Sequence, residues 1–205
     1  WWSQPVASGR CCIVLLVLSV RHFPRPDVTL HDKTFEVYIP KKRIESVVLD
    51  MVDKVAHEIG DVCPIFVGVL NGSFLFMSDF VRHYPYNCEI SFLKMASYQG
   101  TGTTGKVKTL LGVNEDFSGR TVVILEDIVD TGNTLEELYR LFEKQGVKDF
   151  RVATLFFKPD AYTKKLPVHY VGMEIENKFI VGYGLDYDGL GRNLPHIYKL
   201  KGQTE

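Results

Sequence analysis

From residue 27 onward the chain alternates between two hydrophobic rhythms. Residues 35–39 alternate apolar and polar, which predicts a short strand ended by Pro40. Ile44, Val47, Val48, Met51, Val52, Val55 and Ile59 then recur at steps of three and four, which predicts an amphipathic helix stopping at Gly60. Residues 64–70 are continuously apolar, as a buried parallel strand requires. Asn71-Gly72-Ser73 predicts a turn that offers an N-cap, with a helix running to about His83. Strands are expected at 90–95, 120–125 and 152–157, with two further candidates at 168–173 and 179–183. Leu135, Leu138, Leu141 and Phe142 mark one face of a helix ending near Gly146. Residues 97–108 offer no apolar face. They carry Gly100, Gly102, Gly105 and three threonines, and so are expected to form a long mobile loop. Strands that alternate with helices imply βαβ units. The expected fold is α/β, a mostly parallel twisted sheet flanked by helices.

Composition narrows the class without changing that picture. A chain of 205 residues fits one domain whose core needs neither metal nor disulfide. Apolar residues are 45% and charged residues 24%, which argues against disorder, collagen and a membrane bundle. Lys plus Arg is 24 against 25 Asp plus Glu, which gives no basic footprint for bulk nucleic-acid binding and leaves local patches open. Cys11, Cys12, Cys63 and Cys88 form no C-x-x-C pair and no zinc spacing, so reduced thiols in a reducing compartment are expected. Residues 11–20 are apolar except for Ser19, with Arg10 and Arg21 on either side. Ten residues cannot span a bilayer, which needs ~20. They suit a signal-peptide core in length, but no small-x-small cleavage site follows. Residues 1–26 are therefore expected to be an extension, disordered or artefactual, outside a domain at 27–205.

The strongest chemistry lies at 122–134, Val-Val-Ile-Leu-Glu-Asp-Ile-Val-Asp-Thr-Gly-Asn-Thr. A buried strand runs into Glu126 and Asp127, Asp130 follows three residues later, and Thr131-Gly132-Asn133-Thr134 opens a helix. In a parallel sheet this stands at the carboxyl edge, where ligands bind. A helix start offers free N–H groups and a positive dipole end, hence a phosphate site. Carboxylates crowd the same turn and repel phosphate. A phosphorylated sugar reconciles the two, with its phosphate on the helix start and its hydroxyls on the carboxylates. The structural alternative for Asp130 is simple N-capping.

This run resembles the signature with which type I phosphoribosyltransferases hold 5-phosphoribosyl-1-pyrophosphate, and the resemblance covers most of residues 27–200. Residues 69–73, Val-Leu-Asn-Gly-Ser, resemble the family's pyrophosphate loop. Residues 97–101, Ser-Tyr-Gln-Gly-Thr, resemble the start of the catalytic loop in its 6-oxopurine members. Residues 178–187, Lys-Phe-Ile-Val-Gly-Tyr-Gly-Leu-Asp-Tyr, resemble their purine-binding segment.

The resemblance implies the type I fold, with a small hood region and a mobile catalytic loop that keeps water from an oxocarbenium-like centre. It implies transfer of a phosphoribosyl group to hypoxanthine, and to guanine, with release of pyrophosphate. By resemblance, Glu126 and Asp127 bind the ribose hydroxyls, and Ile128, Val129, Asp130, Thr131, Gly132, Asn133 and Thr134 hold the phosphoribosyl 5-phosphate. Asp130 is also the catalytic base for the purine N7 proton, a role that needs its pKa raised by burial. Leu70, Asn71, Gly72, Ser97, Tyr98 and Arg192 bind pyrophosphate. Asn71 stands where several members carry lysine, so backbone N–H groups are expected to dominate there, and a cis Leu70–Asn71 peptide is a family expectation. Lys158, Lys178, Phe179, Ile180 and Asp186 contact the purine. Mg²⁺ is the implied cofactor, with Glu126, Asp127 and Asp186 on the metal side. The implied partners are small molecules and a second copy of the chain, in a homodimer or homotetramer, with no nucleic acid and no membrane, in the cytoplasm. Two alternatives stay open: transfer to another base such as xanthine or a pyrimidine, and a non-catalytic regulator on the same fold.

Overall fold

The computed structural model describes residues 27–97, 107–111 and 116–202. β1 (Asp27–Leu30) and β2 (Lys33–Ile39) form an antiparallel hairpin. α1 (Lys41–Ile59) follows, then β3 (Ile65–Leu70), α2 (Phe74–His83), β4 (Glu89–Ser97) and β5 (Val107–Leu111). β6 (Thr121–Val129), α3 (Asn133–Glu143), β7 (Asp149–Phe157) and β8 (Tyr170–Glu174) complete the main layer. Two short strands, β9 (Ile180–Val181) and β10 (Ile197–Leu200), are the last among the described residues.

The main sheet has the order β5-β4-β3-β6-β7-β8. Its last five strands pair in parallel, and β5 adds to the edge of β4 in antiparallel. Strand alternation sends the side chains of β3 to two cores. Phe66 joins Val47, Met51, Val55, Phe76 and Phe80, under α1 and α2. Ile65, Val67 and Val69 join Leu135, Leu138 and Phe142, under α3. The sheet is thus covered on both faces, which is why its strands read as unbroken apolar runs. Val152, Ala153, Leu155 and Phe156 of β7 are fully buried for the same reason.

A second sheet, β1-β2-β10-β9, forms a small hood with its own core of Val28, Phe35, Val181 and Tyr198. It corrects two expectations. The 179–183 candidate is only β9, and it pairs antiparallel with β10 rather than joining the parallel sheet. β1 and β10 themselves were not expected: both are four residues long, too short for a periodic signal. β6 runs on past residue 125 to Val129, so Glu126 and Asp127 sit within the strand, not after it. The expected 97–108 loop is also shorter. Ser97 ends β4 and pairs with Val107, and Val107 and Lys108 begin β5. Residues 98–106, like residues 1–26, lie outside the described residues. Ser73 does not cap α2 through its hydroxyl. It donates to the Val69 carbonyl at 2.7 Å instead. Among the described residues, no helix is long and apolar enough to cross a membrane.

Candidate active site

β6 delivers two carboxylates to the carboxyl edge of the sheet, and the chain then turns at 130–132 into α3. Gly132 adopts φ 86 at the helix start, and any side chain there would press into Tyr162 and Lys164. The start of α3 carries no side-chain cap. Its free N–H groups therefore face a cavity of about 270 Å³ lined by residues 126–135 and Leu138. Asp130 is not an N-cap. Its Oδ2 accepts from Lys158 Nζ at 2.9 Å, and that lysine is only 6% exposed.

A second cavity, of about 260 Å³, adjoins the first. Asn71 and Gly72 form one wall, Lys158, Phe179 and Ile180 another, and Leu185, Asp186 and Arg192 a third. Asp127, Ile128 and Asp130 line both cavities. The Leu70–Asn71 peptide is cis. Close backbone approach holds these walls together. A methyl group on Gly72 would overlap the Asp127 carboxylate, and one on Gly184, at φ +101, would overlap the Gly72 carbonyl. Arg192 donates to the Gly184 carbonyl and pairs with Asp186 Oδ1, both at 2.6 Å. Asp186 Oδ2 accepts from the Gly189 N–H at 2.8 Å.

The electrostatics follow from burial. Glu126 is 8% exposed, and its Oε2 has no hydrogen-bond partner. Burial, reinforced by the neighbouring Asp127 charge, pushes its carboxyl well above the usual carboxylate range. Burial likewise pushes Asp127 up to about 6. The N–H groups of Asp127 and Ile128 and the Arg192 guanidinium pull the other way, and Asp186 adds to the rise. Glu126 is short of a partner for its charged form, and Asp127 keeps a raised carboxyl despite its N–H donors. Hydroxyl donors or a cation would stabilise both charged forms.

Most of the expected site residues meet here. The 126–134 run lines the first cavity, and Asn71, Gly72, Lys158, Phe179, Ile180, Asp186 and Arg192 line the second. Lys178 is not among the lining residues and pairs with Glu176. The Asp130 side chain is 43% exposed, and the burial expected for it is burial beside a bound neutral base. Ser97 is placed through its backbone only, and Tyr98 lies outside the described residues. Sequence reasoning placed Leu185 in the 178–187 segment without giving it a role, and missed the Arg192–Asp186 pair. An Asp and an Arg six residues apart in a glycine-containing loop were the available signal. Among the described residues, no three His, Cys, Asp or Glu side chains form a ready metal cage.

Fold and site together define an α/β protein with two adjoining cavities at the carboxyl edge of a mostly parallel sheet, one at a helix start and one walled in part by Phe179. A family model described as a phosphoribosyl transferase domain matches residues 40–188. The chain belongs to that phosphoribosyl transferase family. It is 42% identical over 139 residues to a hypoxanthine-guanine phosphoribosyltransferase of Streptococcus pyogenes serotype M3, covering 67% of this chain and 77% of the relative. It is 36% identical over 170 residues to the hypoxanthine phosphoribosyltransferase of Escherichia coli K12, covering 82% and 96%. A crystal structure of a Bacillus anthracis hypoxanthine-guanine phosphoribosyltransferase superposes with a TM-score of 0.76 at 34% identity, covering 80% of this chain and 97% of that one.

Proposed function

We propose that this chain transfers the phosphoribosyl group of 5-phosphoribosyl-1-pyrophosphate to hypoxanthine, and to guanine, releasing pyrophosphate. The observation that carries this reading is the junction of the two cavities. Asp127, Ile128 and Asp130 border both the helix-start chamber and the aromatic-walled chamber. A phosphoribosyl group in the first and a purine in the second would meet there, where the new bond forms.

The residues then divide the work. The N–H groups at 131–134 hold the 5-phosphate, and Ile128 and Val129 shape its approach. Glu126 and Asp127 take the ribose hydroxyls as donors and favour positive charge on the sugar as the bond to pyrophosphate breaks. Leu70, Asn71 and Gly72 present backbone to the departing pyrophosphate, with Arg192, Ser97 and Tyr98 beside it. Asp130 accepts the purine N7 proton while N9 bonds to the sugar. Lys158, hydrogen-bonded to Asp130, fixes that carboxylate against the ring. Phe179 stacks on the purine, Ile180 contacts it, and Lys178 leaves Glu176 to donate to O6.

The donor set suits Mg²⁺ brought in with the substrate. Glu126 offers an unpartnered buried oxygen, and Asp127 and Asp186 are near enough to repel one another, but the three form no closed protein cage. When bound, the ion would neutralise the pyrophosphate leaving group. Exposed Phe74, Tyr86, Ile90 and Phe92 support self-association as a homodimer or homotetramer. The free thiols of Cys63 and Cys88 support a reducing, cytoplasmic setting. Residues 27–205 form the transferase domain in this reading, with 1–26 an extension. The test is to incubate the protein with Mg²⁺, the phosphoribosyl donor and hypoxanthine, and to look for inosine monophosphate.

A further inference from the structure

We infer that the turn joining β1 to β2 sets the affinity for the purine, with Tyr187 as a positioning residue that holds the Phe179 ring in place. This rests on the reading above, in which Phe179 stacks on the base. Phe179 is 38% exposed, so its own burial does not fix the ring. Two aromatic rings pack against it. The Tyr187 ring meets it edge-on, with centroids 5.7 Å apart and planes at 84°. The fully buried Phe35 lies at 6.1 Å and 41°.

Tyr187 is itself held from the hairpin turn. Its hydroxyl donates to Asp32 Oδ1 at 2.7 Å. The Lys33 ammonium lies 4.4 Å from the Tyr187 centroid and 5.6 Å from that of Phe179, so one cation bridges both rings. The His31 ring meets Tyr187 edge-on at 5.5 Å, and its Nε2 lies 3.3 Å from the Asp188 carbonyl. His31 and Asp32 of the turn and Lys33, the first residue of β2, thus grip the 187–188 stretch. Residues 31–33 lie outside the 40–188 span that matches the family. The family-matched segment therefore carries the stacking ring, and a separate hairpin holds it.

Tyr187 does not line the purine cavity, so it acts through Phe179. A brace on a stacking ring serves the bound purine equally before and during bond formation. Its loss should raise KM for the purine and leave kcat alone. Tyr187 also follows Asp186, so an effect routed through that carboxylate would appear instead in the donor KM.

Steady-state kinetics of Tyr187→Leu, Tyr187→Phe and Lys33→Met against wild type separate these outcomes. Tyr187→Leu should raise the hypoxanthine KM about tenfold, with kcat and donor KM held within about twofold. Tyr187→Phe keeps the edge contact and loses the Asp32 bond, so it should recover most of that loss, to within about threefold of wild type. Lys33→Met should raise the same KM about threefold. An unchanged hypoxanthine KM in Tyr187→Leu, or an equal rise in donor KM, overturns the brace. Should Tyr187→Leu fail to fold, Lys33→Met and Asp32→Ala, at the hairpin turn, carry the same test by the same readout. A wild-type protein that makes no inosine monophosphate would defeat the underlying reading instead, and the two failures are distinct.

Discussion

Replacing Asp127 with asparagine should stabilise the unliganded protein while abolishing its chemistry. Burial raises the Asp127 carboxyl from 3.8 to about 6. The folded protein therefore binds this proton more tightly than the unfolded chain does. Below pH 4 both states are protonated and the site costs nothing. As pH rises from about 4 to 6 the unfolded chain releases its proton first, so folding stability falls, and above 6 the cost is complete. At about 1.4 kcal/mol per unit, the gap between the two values amounts to about 3 kcal/mol. An asparagine at this position carries no charge, keeps the shape, and can still accept one of the N–H bonds that the carboxylate receives. Urea denaturation at pH 4 and pH 8 provides the assay. Asp127→Asn should gain about 1–3 kcal/mol over wild type at pH 8 and nothing at pH 4. Turnover should fall at least a hundredfold, since the carboxylate faces charge that develops in the transition state, where one such contact is worth ~10²–10³. Stability curves that run parallel across the pH range, or a variant weaker than wild type at pH 8, would refute the burial argument.

Three other substitutions probe separate parts of the site. Asp130→Asn should keep its fold by circular dichroism, because Asp130 caps no helix, and should lose ~10²–10⁴ in kcat. Gly72→Ala must push the Asp127 carboxylate aside, so the donor KM should rise and kcat fall, each at least about tenfold. Wild type should prefer hypoxanthine to adenine by at least about a hundredfold in kcat/KM, because the Lys178 ammonium can only donate and adenine presents an amino donor in place of O6. Lys178→Ala should narrow that ratio, and an unchanged ratio would remove Lys178 from purine recognition.

What could be read from the chain follows from how local each signal is. The 122–134 run carries strand, carboxylates and helix start in thirteen consecutive residues, so it was visible without any tertiary context. The apolar runs of β3, β6 and β7 showed for the same reason, being buried on both faces. The hood was harder to see. β10 pairs with β2 across some 160 residues, and neither β1 nor β9 is long enough to show a period. Position along the chain also hid side-chain partners. Lys178 reads as a purine ligand by its place in the motif, yet here it pairs with Glu176, two residues away. The Asp130–Lys158 contact joins the ends of β6 and β7, which only the parallel register brings together. The brace from Asp32 to Tyr187 spans 155 residues and left no trace in either local pattern.

Formation of inosine monophosphate tests the central claim most directly. Wild-type protein, 5-phosphoribosyl-1-pyrophosphate, hypoxanthine and Mg²⁺ are combined, and nucleotide and pyrophosphate are quantified together, with a parallel sample in excess chelator and another containing Asp130→Asn. The account predicts equal amounts of inosine monophosphate and pyrophosphate from wild type, loss of both in chelator, and a rate at least about a hundredfold lower from Asp130→Asn. Absence of nucleotide from the wild-type protein under these conditions, or undiminished turnover by Asp130→Asn, would contradict it.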